Sequence, residues 1–232
     1  MKLALFVYNF PHKKSQDFLW RLLTEGLKPH LVLAEDYTHL DIPTATFRVK
    51  PKHLSLVHPK DICRRFKIPY YVVGHNDKGC IDLLTRNQID IGVIAGGRIL
   101  KTPVLRSVKK GIINLHPGLI PEVRGLDALQ WAIIENHPLG VTAHVIDERV
   151  DAGHILMRNI IQEFKDDTFI DLSLRLYETQ LEMLANAINL LEKYPLEHFQ
   201  IVGKSKLHRK MVPELENELP FRLRERLELS GI

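Results

Sequence analysis

The chain has 232 residues, 32 Lys and Arg against 28 Asp and Glu, a formal net charge of +4, and 45% hydrophobic content. Such a chain buries one core, or a core with a small appendage, and its thirteen glycines and thirteen prolines are near average usage, which excludes collagen-like and disordered classes. Its basic residues are interleaved with acids, so the charge reads as solvation plus an anionic ligand rather than a nucleic-acid surface.

Leu3 to Tyr8 is a short apolar run that stops at Asn9 and Pro11 with no small-residue cleavage site, which predicts a strand and not a signal peptide. Further strands are expected at His30 to Ala34, Pro69 to Val73, Ile89 to Ala95 and Gly111 to Leu115. Helices are expected between them at Gln16 to Glu25, Pro59 to Phe66, Cys80 to Arg86 and Leu126 to Glu135. Apolar strands alternating with amphipathic helices predict an α/β fold with a doubly wound, mostly parallel sheet.

After Gly140 the pattern changes. Val141 to Asp147 and His154 to Met157 read as two β segments that pair antiparallel or bend around the polar turn Arg149 to Gly153. Tyr177, Leu181, Leu184, Ile188 and Leu191 then form an apolar stripe on a long helix from Asp167, which Pro195 ends. The division expected is a domain of residues 1–195 and a C-terminal extension of 196–232, with a short helix near Pro220 to Leu229. No stretch holds the roughly 18 to 20 apolar residues of a membrane span. Cys63 and Cys80 lack Cys-x-x-Cys spacing and read as buried thiols, so the protein is expected to be cytoplasmic.

The chemistry-bearing stretch is Asn114-Leu115-His116-Pro117-Gly118-Leu119-Ile120-Pro121 at the end of the fifth expected strand. Asn114 and His116 are two apart on an extended segment, so both face the same side, where a parallel sheet binds ligands beyond its strand ends. As an isolated pair they are equally a turn cap and a satisfied half-buried histidine. A second loop, Val150-Asp151-Ala152-Gly153, offers a carboxylate, and together the three supply an amide donor, an acid–base group and a charged orienter. His144 either hydrogen-bonds into this group or is structural. His116, His144, His154 and Asp151 show no metal-ligand spacing, and no metal is expected.

The separated runs Ile94 to Leu100, Ile113 to Pro121, Arg124-Gly125, Gly140 to His144, Asp147 and Asp151-Ala152-Gly153 resemble, in order, the formyltransferase family that uses 10-formyltetrahydrofolate. The resemblance implies a Rossmann-like fold and a catalytic triad of Asn114, His116 and Asp151. It further implies that Arg98, Ile99 and Leu100, with Ala143, His144 and Asp147 of the Ala143 to Asp151 loop, bind the folate. No metal is required.

Where family members acting on glycinamide ribonucleotide have a Gly-rich phosphate loop, this chain has Asn9-Phe10-Pro11-His12-Lys13-Lys14-Ser15. Lys13, Lys14 and Ser15 there, with His75 and Arg124, are candidates for holding the acceptor, although His75-Asn76-Asp77 and Arg124 to Asp127 equally start helices. The acceptor expected is a small-molecule primary amine, foremost a nucleotide-linked amino sugar, with no nucleic acid and no membrane. Glycinamide ribonucleotide and methionyl-tRNA are the alternative acceptors, tRNA being disfavoured because 196–232 is too short for a barrel domain. A hydrolase giving the formyl group to water ranks below these. A noncatalytic ligand- or RNA-binding protein on the same fold is the alternative of a different class. The sequence leaves open whether the protein forms a homodimer.

Overall fold

Leu3–Tyr8 form β1, whose first five side chains are all buried because helices cover both faces of its sheet. Leu3, Leu5 and Val7 enter the larger core on one face of the sheet, and Ala4 and Phe6 the smaller one on the opposite face. The structure, a computed structural model, describes residues 1–39 and 56–230. Four further parallel strands follow: β2 (Leu31–Glu35), β3 (Tyr70–Val72), β4 (Ile91–Ile94) and β5 (Gly111–His116). Helices α1 (Lys13–Thr24), α2 (Pro59–Arg65), α3 (Lys78–Arg86) and α4 (Thr102–Leu105) lie between them in the chain.

After α5 (Ala128–Ile134) the sheet turns antiparallel through β6 (Gly140–Val145), β7 (His154–Ile160) and β8 (Gln200–Ile201). Its order is β3-β2-β1-β4-β5-β6-β7-β8. Helices α6 (Phe169–Lys193), α7 (Pro213–Glu216) and α8 (Leu219–Ser230) complete the chain. This is the expected doubly wound, mostly parallel α/β sheet, with the two segments after Gly140 paired antiparallel.

The expected elements form with small shifts at their ends, each with a local cause. α1 begins at Lys13 rather than Gln16 because the His12 ring accepts from the Ser15 amide and caps it. α6 begins after Thr168, which forms a capping box with Asp171. Its buried face is Leu172, Leu176, Met183, Leu184, Ala187, Ile188 and Leu191. Tyr177 and Leu181, the first two residues of the expected stripe, lie at its half-buried margin, where the Tyr177 hydroxyl donates to Asp17 at 2.8 Å. The short α4 and β8 have no periodic signal. Cys63 and Cys80 are free, buried thiols, and burial pushes both up to about 12. Among the described residues no helix is long and apolar enough to cross a membrane.

Residues after Pro195 are packed against the sheet. Met211 and Leu219 enter the larger core, and the Arg226 guanidinium binds both oxygens of Glu163 at 2.6 and 2.7 Å. Leu184, fully buried on α6, tests how much that long helix bears on the core. Leu184→Ala should lower stability by about 2–5 kcal/mol in urea unfolding with an unchanged m-value. A loss below about 0.5 kcal/mol, the size of an ordinary surface substitution, would show that α6 carries little of the core.

Candidate active site

On β5 the side chains alternate: Ile113 and Leu115 enter the larger core, which turns Asn114 and His116 to the opposite face. β6 pairs with it in antiparallel register, Asn114 beside His144 and His116 beside Thr142, so all four polar side chains share that face. The loop between β6 and β7 folds back over it and brings in Asp151, whose φ of 43° lies in the left-handed region. Gly153, two residues on at φ 101°, cannot carry a side chain, because a Cβ there would stand 2.0 Å from the Val145 carbonyl oxygen.

Asn114, His116 and Asp151 are thereby brought together. Asn114 Nδ2 donates to Asp151 Oδ1 at 3.4 Å and lies 3.3 Å from His144 Nε2. His116 Nδ1 stands 3.6 Å from Asp151 Oδ2, while its Nε2 donates to the Val123 carbonyl at 3.1 Å. The Gly125 amide donates to Asp151 Oδ2 at 3.1 Å. His144 Nδ1 faces the Ala152 carbonyl at 2.8 Å and must donate to it, which leaves Nε2 to accept from Asn114. This chain of bonds fixes which way the Asn114 amide points.

Burial shapes the charges. It holds His116 below its ordinary pKa, against the pull of Asp151, so at neutral pH the ring is neutral with its Nδ1 lone pair turned to the carboxylate. The carboxylate alone would favour an imidazolium, but desolvation outweighs it. His144 is pushed down to about 4, again by burial. Lys14 is pushed down to about 8 by burial, with Asp151 opposing, and its Nζ donates to the Leu115 carbonyl at 3.2 Å and to Gln180 at 2.9 Å.

A cavity of about 620 Å³ opens over Asn114 and Asp151, within the range of small-molecule sites. Arg98, Ile99 and Leu100 form one wall, and Ile146 to Asp151 the other, including Asp147, which is bound by the Arg149 side chain. Burial would raise the Asp147 pKa, but the hydrogen bonds from Arg149 outweigh it and lower it. Two residues expected at the folate do not line this cavity. Ala143 faces the larger core, on the other side of β6, and His144 is wholly buried beneath Asn114 rather than lining the cavity. His116 likewise sits behind Asp151, outside the lining.

The residues expected at the acceptor are mostly engaged in the fold. Lys13 pairs with Asp17 at 2.7 Å, and Lys14 is turned inward. The Ser15 hydroxyl is buried and donates to the Ala95 carbonyl at 3.2 Å. His75 is buried against Phe6, its Nε2 3.0 Å from the Leu33 carbonyl. Arg124 donates twice to the Val150 carbonyl, at 3.1 and 2.6 Å, and so holds the residue before Asp151. Asn76, which the sequence offers either to the acceptor side or as a helix start, donates its side-chain amide to the Ile99 carbonyl at 2.9 Å and accepts from the Lys101 amide at 2.7 Å. It fixes the cavity wall that carries Arg98 to Leu100. Tyr8, Leu126 and Arg149, which also line the cavity, carry no sequence signal beyond their strand or loop positions.

The chain is similar to known proteins in both sequence and fold. A methionyl-tRNA formyltransferase of Fusobacterium nucleatum is 31% identical over 168 residues, covering 72% of this chain and 53% of its own. The chain thus spans about half the length of that curated relative. A phosphoribosylglycinamide formyltransferase from Anaplasma phagocytophilum superposes with a TM-score of 0.65 at 19% identity, over 89% of this chain and 98% of its own. A sugar N-formyltransferase from Shewanella does so with 0.61 at 17%, over 97% and 87%. At those identities the two structures establish the fold. Residues 30–188 match the family model described as formyl transferase, and the chain belongs to that family.

Proposed function

We propose that the chain is the catalytic part of an N-formyltransferase, moving a formyl group from 10-formyltetrahydrofolate to a primary amine, with residues 1–195 as the working domain and 196–232 as an extension. The observation that carries the reading is the meeting of Asn114, His116 and Asp151, with Asn114 and Asp151 in the lining of a cavity to which Ile94, Ile99, Leu100 and Ile146 contribute apolar surface. A flat pterin suits those walls, with the formyl end of the donor at Asn114.

When the amine attacks, negative charge develops on the formyl oxygen, and the Asn114 N–H is the donor aimed at that position. Its bonds to Asp151 and His144 are long, so either is given up at little cost. The amine nitrogen loses a proton as the new carbon–nitrogen bond forms. Asp151 and the neutral His116 behind it take that proton as a pair, His116 Nδ1 being free to accept it. The same proton passes to the folate nitrogen as its bond to the formyl carbon breaks, which leaves tetrahydrofolate and the N-formyl product with all atoms accounted for.

For the acceptor we favour a nucleotide-linked amino sugar. Tyr8, which lines the cavity, stacks on Phe10 at 5.0 Å, and Tyr37 meets Phe10 edge-on while 69% exposed. Such an aromatic cluster suits a planar base. The lysines at the start of α1 are engaged and do not offer a phosphate site there.

Amine-dependent release of tetrahydrofolate is the direct test, with a nucleotide amino sugar, glycinamide ribonucleotide and methionyl-tRNA as acceptors. No release with any of them would favour a noncatalytic binding protein. Asn114→Ala, His116→Gln and Asp151→Asn should each lower kcat by about 10²–10³ while leaving donor affinity nearly unchanged. An Asp151→Asn protein as fast as wild type would remove the proton-transfer role.

The pH profile is a separate check. His116 accepts a proton only when neutral, and burial lowers its pKa, so kcat/KM should decline with acidification only below the ordinary value of 6.5. The Lys14 charge lowers that pKa further, so Lys14→Met should move the acid limb to higher pH. A limb that stays put, or moves down, contradicts the assignment.

A further inference from the structure

The segment after β8 lies outside the region matched to the family, yet it holds both loops that meet at Asp151. The Val202 amide donates to the Gly153 carbonyl at 2.7 Å, and the Val202 carbonyl accepts from Arg149 Nη1 at 2.9 Å. Its side chain is buried against Ile120 and Ala152. Ser205 Oγ accepts from Arg124 Nη1 at 3.2 Å, and that same guanidinium holds the Val150 carbonyl. Residues 149, 150 and 153, on both sides of the left-handed Asp151, are thus tied directly or through Arg124 to 202–205.

His208 closes the other loop. Its amide donates to the Arg124 carbonyl at 2.8 Å, and its carbonyl accepts from the Leu126 amide at 3.1 Å. Gly125 lies between those two bonds at φ 104°, and a Cβ on it would stand 2.1 Å from the His208 oxygen, so the backbones approach as closely as only glycine allows. The Gly125 amide is the one that donates to Asp151 Oδ2. The His208 ring is buried, Nε2 bonded to Glu135 at 2.9 Å and its face 5.0 Å from Trp131. Trp131 in turn donates to the Arg209 carbonyl at 2.8 Å.

We propose that residues 202–208 are a strap that sets the Asp151 carboxylate in place for formyl transfer, with His208 as its positioning residue acting through Gly125. Arg124 and Val202 hold the backbone around Asp151, and His208 fixes the amide that orients its carboxylate. A misplacement of about 1 Å at a reacting group costs on the order of 10²-fold in rate, so a loosened strap lowers turnover while the Arg98 to Leu100 wall, which it does not touch, stays in place. The kinetic part of this inference rests on the formyl-transfer reading; the structural part does not.

The test uses the full chain with His208→Ala and His208→Gln, the second retaining an amide that donates to Glu135. Two quantities are read: kcat and KM for 10-formyltetrahydrofolate with an amine that wild type accepts, and hydrogen exchange of the Gly125 amide by NMR. The strap predicts a kcat loss of about tenfold or more in His208→Ala, a donor KM within about twofold, faster Gly125 exchange, and substantial recovery in His208→Gln. Unchanged Gly125 exchange in a folded His208→Ala protein overturns the proposal, as does a kcat equal to wild type. If wild type transfers no formyl group, the functional reading fails by itself, and Gly125 exchange still decides the strap. If His208→Ala does not fold, Glu135→Gln loosens the same ring from its other side and is read in the same way.

Discussion

The Asp151 carboxylate is the constraint on which the rest of the site depends. Three groups from distant parts of the chain meet it: the Asn114 amide from β5, the His116 ring two residues on, and the Gly125 amide from the loop before α5. Bringing a carboxylate there forces the β6–β7 loop through a left-handed backbone at a residue with a side chain, a conformation that costs on the order of 1–3 kcal/mol. The surroundings offset this locally. Arg124 places two charge-assisted bonds on the preceding carbonyl, and Val202 bonds the carbonyl two residues later. Asp151 is held by its neighbours more than by its own preference.

Around that carboxylate, burial assigns different protonation states to groups of similar chemistry. His116 and His144 lie on adjacent strands, and both are kept neutral chiefly by desolvation. Their free lone pairs have different uses. His144 spends its own on orienting Asn114, because its other nitrogen is committed to the Ala152 carbonyl. His116 directs its lone pair at Asp151. The Lys14 ammonium opposes Asp151 in charge and lowers the affinity of His116 for protons. One imidazole orients and the other is free to take a proton, a division set by which carbonyl each ring meets.

The sequence made much of this legible, for reasons that differ from residue to residue. Strand and helix order was readable because β1, β2 and β4 are nearly continuous apolar runs and α6 carries an apolar face that Pro195 ends. Asn114 and His116 were readable as a pair because period-two spacing puts them on one face wherever the strand lies. Misplacements arose where the outcome depended on tertiary partners. The resemblance assigns Ala143 to the folate together with the loop it begins, but it neighbours His144 on a strand and so faces the opposite side. Lys14, Ser15 and His75 look like available polar groups in sequence, and each finds a partner inside the fold that local pattern does not reveal. The contribution of Val202 and His208 was invisible for the same reason, since their bonds run through backbone atoms brought close only by the completed sheet.

The same alternation explains why loops, and not a helix, cover the site. Asn114, His116, Thr142 and His144 place four polar side chains on one face of two adjacent strands, and three of them are buried. A helix packed there would present side chains, its own backbone groups being already paired, and would leave the four in want of partners at about 1–3 kcal/mol for each unmet group. The loops over this face supply unpaired carbonyls and amides instead. Thr142 Oγ1 accepts from the Ile120 amide at 3.0 Å and donates to the Gly118 carbonyl at 2.8 Å, His116 donates to Val123, and His144 donates to Ala152. Once these bonds are made, Asn114 is the one of the four left half-buried, at the floor of the cavity. Its exposure is therefore a consequence of the other three being satisfied, and the alternating polar residues of β5 and β6 fix both the covering loops and the position of the Asn114 amide.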